Sequence, residues 1–183
     1  MGNNLAQKVS GNAKTTITDM NVALDNVKTL SLCNIHATDS VSVDLYVTSQ
    51  VGTDIVDTGT NVNNGSGYAV TTSSQAIVVD ATAATSDVFL DEQVFKSDGT
   101  LFGTCTAVGS TTAMTFGGGI ASAMVDNDSL YTGTRYYILK SDVLPVNTTL
   151  VLEQDELRVD SINYLVYIKL SASGSAVDVI TRT

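Results

Sequence analysis

The chain predicts an all-β protein, an antiparallel β-sandwich of jelly-roll-like character carrying an inserted small β-barrel module. Three observations predict it. Val41, Val43, Leu45 and Val47 alternate with Ser42, Asp44, Tyr46 and Thr48, the period of two that turns one strand face inward. Thr, Val and Ser are abundant while helix text is nearly absent, a composition that favours strands and turns. Charge is also uneven: residues 52–134 hold nine acids against one base, Lys96, and the remainder holds ten acids and eight bases. That asymmetry, with loose loops at both edges, divides the 183 residues into a β-sandwich host domain, 15–51 plus 135–183, and an inserted acidic β-module, 52–134. Residues 1–14 are polar and without pattern, and read as a flexible N-terminal arm.

The elements follow in order. Residues 15–18 and 21–24 are short strand candidates, and 30–35 is a stronger one. The polar run from His36 to Ser40 suits a hairpin loop before the alternating strand at 41–47. From Gly52 to Tyr68 the text loosens, and the Gly- and Asn-rich run at 59–67 reads as a long turn. Further strands are expected at 77–79, 88–90, 94–96, 101–108, 113–116 and 129–131. Between 94–96 and 101–108, Asp98-Gly99 supplies the positive φ of a tight hairpin. Gly117, Gly118 and Gly119 break the chain, and 119–125 is open between a helical turn, a strand and a loop. Residues 136–152 are two apolar runs around a turn at Pro145. In 164–170, Tyr164, Val166, Ile168 and Leu170 share one face and Leu165, Tyr167 and Lys169 the other.

Composition narrows the function classes. Apolar content of 43% is too high for a disordered chain. A formal charge of -10 with nine scattered bases argues against a nucleic-acid partner, because a phosphate backbone needs clustered Lys and Arg. No segment approaches the ~18 apolar residues of a membrane helix, so no membrane partner is expected.

No candidate constellation carries chemistry. His36 is the only histidine, and it stands in turn-like text without a nucleophile elbow nearby. One His with Cys33 and Cys105 far apart is a poor zinc set, and both cysteines are expected as buried free thiols. Asp126, Asn127 and Asp128 resemble a fragment of a calcium loop but lack the Gly and the distal Glu. Glu153, Asp155 and Glu156 are spaced like paired glycosidase carboxylates but read as a turn. Gly117–Gly119 lacks the Lys-Ser/Thr of a phosphate loop, and Asn147 heads an Asn-Thr-Thr acceptor in a chain with no visible secretion signal. Tyr136, Tyr137, Tyr164 and Tyr167 are expected to fill a core or a subunit interface rather than stack a sugar. No catalytic, cofactor-binding or metal residue is expected, and the chain is not expected to be an enzyme.

Two stretches carry a resemblance. Thr29-Leu30-Ser31-Leu32-Cys33-Asn34-Ile35, followed by the strand at 41–47 and by 136–152 with its Pro145 turn, resembles a recurring β-sandwich of tailed-phage virion proteins. Residues 94–108, with Asp128 to Tyr131, resemble small barrel-like modules in structural proteins of marine, T4-like cyanophages. Together they cover most of 29–180. The resemblance implies a virion structural protein assembled in the host cytoplasm. It points first to a capsid decoration or cement subunit, a homo-oligomer that binds the major capsid protein and stabilises the head shell. A neck, tail or baseplate protein is the alternative, and a glycan-binding adhesin module is the reading from another class.

Overall fold

The computed structural model describes residues 4–17, 27–80, 86–157 and 163–183. In chain order the strands are β1 (Asn4–Ser10), β2 (Thr15–Thr16), β3 (Thr29–Asn34), β4 (Val41–Ser49), β5 (Ile55–Asn61) and β6 (Gln75–Val78). A short helix α1 (Ser86–Phe89) precedes β7 (Gln93–Phe95), β8 (Leu101–Ser110), β9 (Ala113–Phe116) and β10 (Ser129–Gly133). Then come β11 (Arg135–Leu144), β12 (Thr149–Glu153), β13 (Tyr164–Leu170) and β14 (Ala176–Arg182). The chain divides into two compact units, residues 1–48 with 135–183 and residues 49–134.

The first unit is an antiparallel sandwich of two four-stranded sheets, β1-β14-β3-β12 and β11-β4-β13-β2. Counting only this unit's eight strands, the orders are 1-8-3-6 and 5-4-7-2. That is the jelly-roll order. Its logic is a long hairpin folded onto itself: β1 pairs antiparallel with β14, β2 with β13, β3 with β12 and β4 with β11. The second unit lies in sequence at the tip of that hairpin, between β4 and β11.

Alternation decides which residues enter the core. Val41, Val43, Leu45 and Val47 of β4 face Leu30 and Leu32 of β3, Val166, Ile168 and Leu170 of β13, and Val177 and Val179 of β14 in one buried cluster. Each such side chain stabilises the fold by about 1.5–3 kcal/mol through loss of water contact. The period of two in 41–47 and 164–170 is therefore an inward face in both strands.

Residues 4–10 depart from the expected flexible arm. They form β1, an edge strand paired along its length with β14. Val9 supplies the reason: it is 1% exposed and packs in the sandwich core opposite Val177. Leu5 and Val9 on one face, with the polar Gln7 between them, make a weak pattern, which is why the segment reads as loose. The candidate at 21–24 and residue 18 of the candidate at 15–18 lie outside the described residues.

The second unit is a six-stranded antiparallel sheet, β5-β10-β7-β8-β9-β6. Phe89, Phe102, Phe116, Met114, Leu130 and Ile77 fill its core. Its two edge strands meet beyond their ends at one bridge, Val62 to Val79, where Asn63 N–H donates to the Val78 carbonyl (3.0 Å) and Asp80 N–H to the Asn61 carbonyl (3.0 Å). A sheet whose edges touch at one bridge stands where a small barrel was expected. The Asp80 carboxylate reinforces the junction by accepting from Asn61 N–H (2.8 Å) and from its side-chain amide (2.9 Å).

Three local expectations change here. Ile55–Asn61, read as loose text, is β5, because β10 supplies its hydrogen bonds with a bulge at Leu130/Tyr131. In the segment at 88–90, Val88 and Phe89 end the helix and Leu90 is a turn, so it is not extended, and it turns Phe89 fully inward. Residues 119–125 form neither a helix nor a strand. Ile120 and Met124 each make a lone bridge, to Thr71 and Tyr68. The Asp98-Gly99 hairpin forms: Lys96 N–H donates to the Thr100 carbonyl (2.9 Å), Gly99 N–H to the Lys96 carbonyl (3.0 Å), and Gly99 has φ 82°. Hydrogen bonds from the Thr100 backbone and side chain hold the Asp98 carboxyl below its ordinary 3.8.

The two ends of the second unit are joined tightly. Ser49 N–H donates to the Thr134 carbonyl (3.0 Å), and Thr134 N–H donates to the Asp54 carbonyl (3.0 Å). A Cβ on Gly133 would stand 1.7 Å from the Ser49 carbonyl oxygen, so the backbones approach as only glycine permits. Gly133→Ala is expected to destabilise the protein by about 3 kcal/mol in a urea or thermal melt, since the clash is with backbone that cannot swing away. The opposite sign is expected at Thr181. Its hydroxyl is buried without a hydrogen-bond partner, in register with Leu5 and Leu30. Thr181→Val removes that uncompensated desolvation and is expected to raise stability by about 1 kcal/mol in the same melts.

Candidate interaction surfaces

Each polar group singled out in the sequence has a place in the fold, and most are bound to backbone. Asn34 ends β3 and is 1% exposed. Its amide nitrogen donates to the Leu144 carbonyl (2.8 Å) and the Asp39 carbonyl (3.0 Å). Its Oδ1 accepts from His36 N–H (2.9 Å), and its own N–H donates to the Thr148 carbonyl (3.0 Å). One side chain thus ties β3, the 36–40 loop and the end of β11, and its backbone reaches the start of β12. The two halves of the sequence motif, the Leu-Cys-Asn strand and the Pro145 turn, meet at this residue. Within the turn Asn147 takes φ 57°, and Thr148 Oγ1 donates to the Pro145 carbonyl (2.7 Å).

His36 Nδ1 accepts from the N–H of Asp39 (2.9 Å) and lies 3.4 Å from the N–H of Thr38. The Asp39 carboxylate stands 3.6 Å from the same nitrogen. The lone pair is committed to closing the loop. The Asp126 carboxylate accepts from Asn64 N–H (2.8 Å) and from the Asn127 amide (3.0 Å), while Asp128 accepts from Val125 N–H (2.9 Å). These carboxylates cap a turn in which Asn127 has φ 65°. Glu156 likewise accepts from Glu153 N–H (2.9 Å) around a 3₁₀ turn at Gln154–Glu156. Gly119 lets the glycine turn pass the Thr71 carbonyl, which a Cβ would approach to 2.0 Å. Among the described residues no group of three or more His, Cys, Asp or Glu could hold a metal ion, and no helix is long and apolar enough to cross a membrane.

Neither cysteine forms a disulfide. Cys105 is buried in the second unit as expected. Cys33 is only half-buried, because it falls on the outward phase of β3.

A tyrosine row crosses the outer face of the β11-β4-β13-β2 sheet. Tyr137 is in register with Tyr46, with ring centroids 5.4 Å apart, and Tyr46 stacks on Tyr167 at 5.7 Å. Cations sit over the rings. Lys14 Nζ is 4.5 Å from the Tyr167 centroid, the Arg135 guanidinium 4.5 Å from Tyr46, and Lys140 Nζ 5.0 Å from Tyr137. Each such contact contributes about 0.5–2 kcal/mol according to its burial. Tyr46 and Tyr167 are buried, whereas Tyr137 and Tyr136 stay 43% and 48% exposed. Tyr136 also meets Tyr164 edge-on at 6.1 Å. The alternation around Tyr46 and Tyr167 places both on the outward phase, but nothing local announces Lys14, which is distant in sequence. A small polar cleft nearby is lined by Asn12, Ser42, Asp44, Lys169, Leu170 and Ser171, and there Asp44 accepts from Ser141 N–H (2.7 Å).

The β1-β14-β3-β12 sheet presents a second open face. Its outward residues include Ala6, Lys8, Asp178, Ile180, Arg182, Ser31, Cys33, Thr149 and Val151. Ile180 and Val151 are 40% and 46% exposed.

No family model, no curated protein and no solved structure matches the chain.

Asn34→Ala leaves the Leu144 and Asp39 carbonyls and the His36 N–H without their partner. It is expected to cost about 3 kcal/mol in a denaturant melt, with accelerated amide exchange at His36.

Proposed function

We propose that the protein is a structural subunit of a tailed-phage virion, a decoration or cement protein that binds the major capsid protein and stabilises the head shell as a homo-oligomer. The observation that carries the reading is the jelly-roll order of the host unit with a separate acidic module spliced into the tip of its folded hairpin. Jelly rolls serve viral capsids and lectins alike, so the fold alone does not choose. The surfaces favour assembly. Outside the module the chain is near neutral, with ten acids and eight bases. Two of its edge strands, β1 and β12, keep unbroken registers that leave them open to a neighbour. The bulged register of β11 guards the other sheet. The acids of the second unit, with Asp57, Asp91, Asp98 and Asp126 exposed, make a poor buried contact. They suit a surface that keeps particles apart in solution.

A second reading, a glycan-binding adhesin module, draws on the exposed Tyr137 with Lys140 over its ring. Quantitative mass spectrometry of purified particles separates the possibilities. Hundreds of copies per particle are expected for the head role. A single ring's worth moves the protein to the neck, tail or baseplate. Absence from particles, together with saturable binding on a glycan array, overturns the virion reading in favour of the adhesin.

A further inference from the structure

The outer face of the β1-β14-β3-β12 sheet has an ordered pattern. Cross-strand register sets Ala6, Ile180, Ser31 and Val151 in one row across all four strands. One step along the strands on one side stand Lys8, Asp178, Cys33 and Thr149. On the other side Arg182, Thr29 and Glu153 stand in line. The middle row is uncharged, and its two large members, Ile180 and Val151, are exposed. The other two members of that row, Ala6 and Ser31, are small, so a second surface can approach closely along it. The face carries Lys8 and Arg182 against Asp178 and Glu153 and is neutral, in a chain whose net charge is -10. It is the kind of patch that overall repulsion leaves available for contact.

We propose that this face binds a second copy of the chain, packed sheet on sheet about a two-fold axis that runs across the strands along the middle row. The charge pattern selects that axis. Such a rotation reverses strand direction and keeps each strand over its own counterpart. Asp178 then lies over Arg182 of the second copy, and Arg182 over its Asp178, giving two equivalent ion pairs flanking Ile180 on Ile180 and Val151 on Val151. A two-fold axis along the strands instead sets Arg182 over Thr29 and Asp178 over Cys33, and pairs no charges. Isologous contact of this sort is the commonest route to a symmetric dimer.

Strands about 4.8 Å apart and rows about 6.8 Å apart give a face of roughly 400 Å² per copy. A standard interface buries about 800 Å² per partner, so the dimer is weak alone. The inference specifies the self-contact of the assembly subunit proposed above, but it is tested on the isolated chain. Its failure leaves the copy-number result standing, and the reverse also holds.

Sedimentation of the purified full chain from about 1 μM to about 1 mM is expected to show a reversible monomer–dimer equilibrium that weakens with salt. Asp178→Arg and Arg182→Asp are each expected to weaken association at least tenfold, because each sets like charges over one another. An equimolar mixture of the two variants restores both pairs and is expected to dimerise again. Ile180→Cys, on the axis, is expected to link two copies on mild oxidation, whereas Thr149→Cys, which lies over Glu153 of the second copy, is not. A wild-type chain that stays monomeric at about 1 mM overturns the proposal. So does association that neither single variant weakens, or a folded mixture that fails to re-form a dimer.

Discussion

The hydrogen bond from Ser49 N–H to the Thr134 carbonyl, with Gly133 pressed against the Ser49 backbone, is the constraint from which the rest of this fold hangs. Every pairing of the jelly roll joins residues before the inserted unit to residues after it. Closing a loop this long costs entropy that grows only slowly with length, but it must be met before any of those long-range pairs can form. A second unit with its own core, whose two ends are already hydrogen-bonded, meets that cost locally. Arg135 can then fall into register with Thr48, and the hairpin can pair outward from its tip. This is why a whole folding unit sits here without disrupting the host, and why the position tolerates only glycine.

The far end of the folded hairpin is tied differently. There the work falls to Asn34, whose side chain holds the loop after β3 and the end of β11 while its backbone reaches the Pro145 turn. A buried amide with its hydrogen bonds made is specific as well as stabilising, because no other side chain presents donors and an acceptor in that arrangement. The same economy recurs at His36, Asp80, Asp126 and Asp128, where groups that resemble catalytic or metal-binding parts are spent on backbone donors. What remains open among the described residues is surface: an exposed Tyr137 with Lys140 over its ring on one sheet, and a neutral patterned face on the other.

Much of the architecture was legible residue by residue. Strict alternation in 41–47 and 164–170 announced inward faces because a strand has only two sides. Asp98-Gly99 announced its hairpin because the turn needs a positive φ. The misses share one cause. β1 and β5 have weak apolar patterns and α1 is too short for a helical period to show, and their state depends on partners far away in sequence: β14 for β1, β10 for β5, and the core around Phe89 for α1. The lysine over Tyr167 and the shared role of Asn34 and Pro145 were hidden for the same reason.

By itself the sequence determined that the protein is all-β, that its acidity is concentrated in its middle, and which faces of its strongest strands turn inward. These are properties of local periodicity and composition, and they need no partner to be read. Only the tertiary structure decided the jelly-roll order, the edge-strand role of residues 4–10, the single bridge where the inserted sheet's edges meet, and the charge rows of the open face. Those depend on which strand lies beside which, a choice made by backbone hydrogen bonding across the length of the chain.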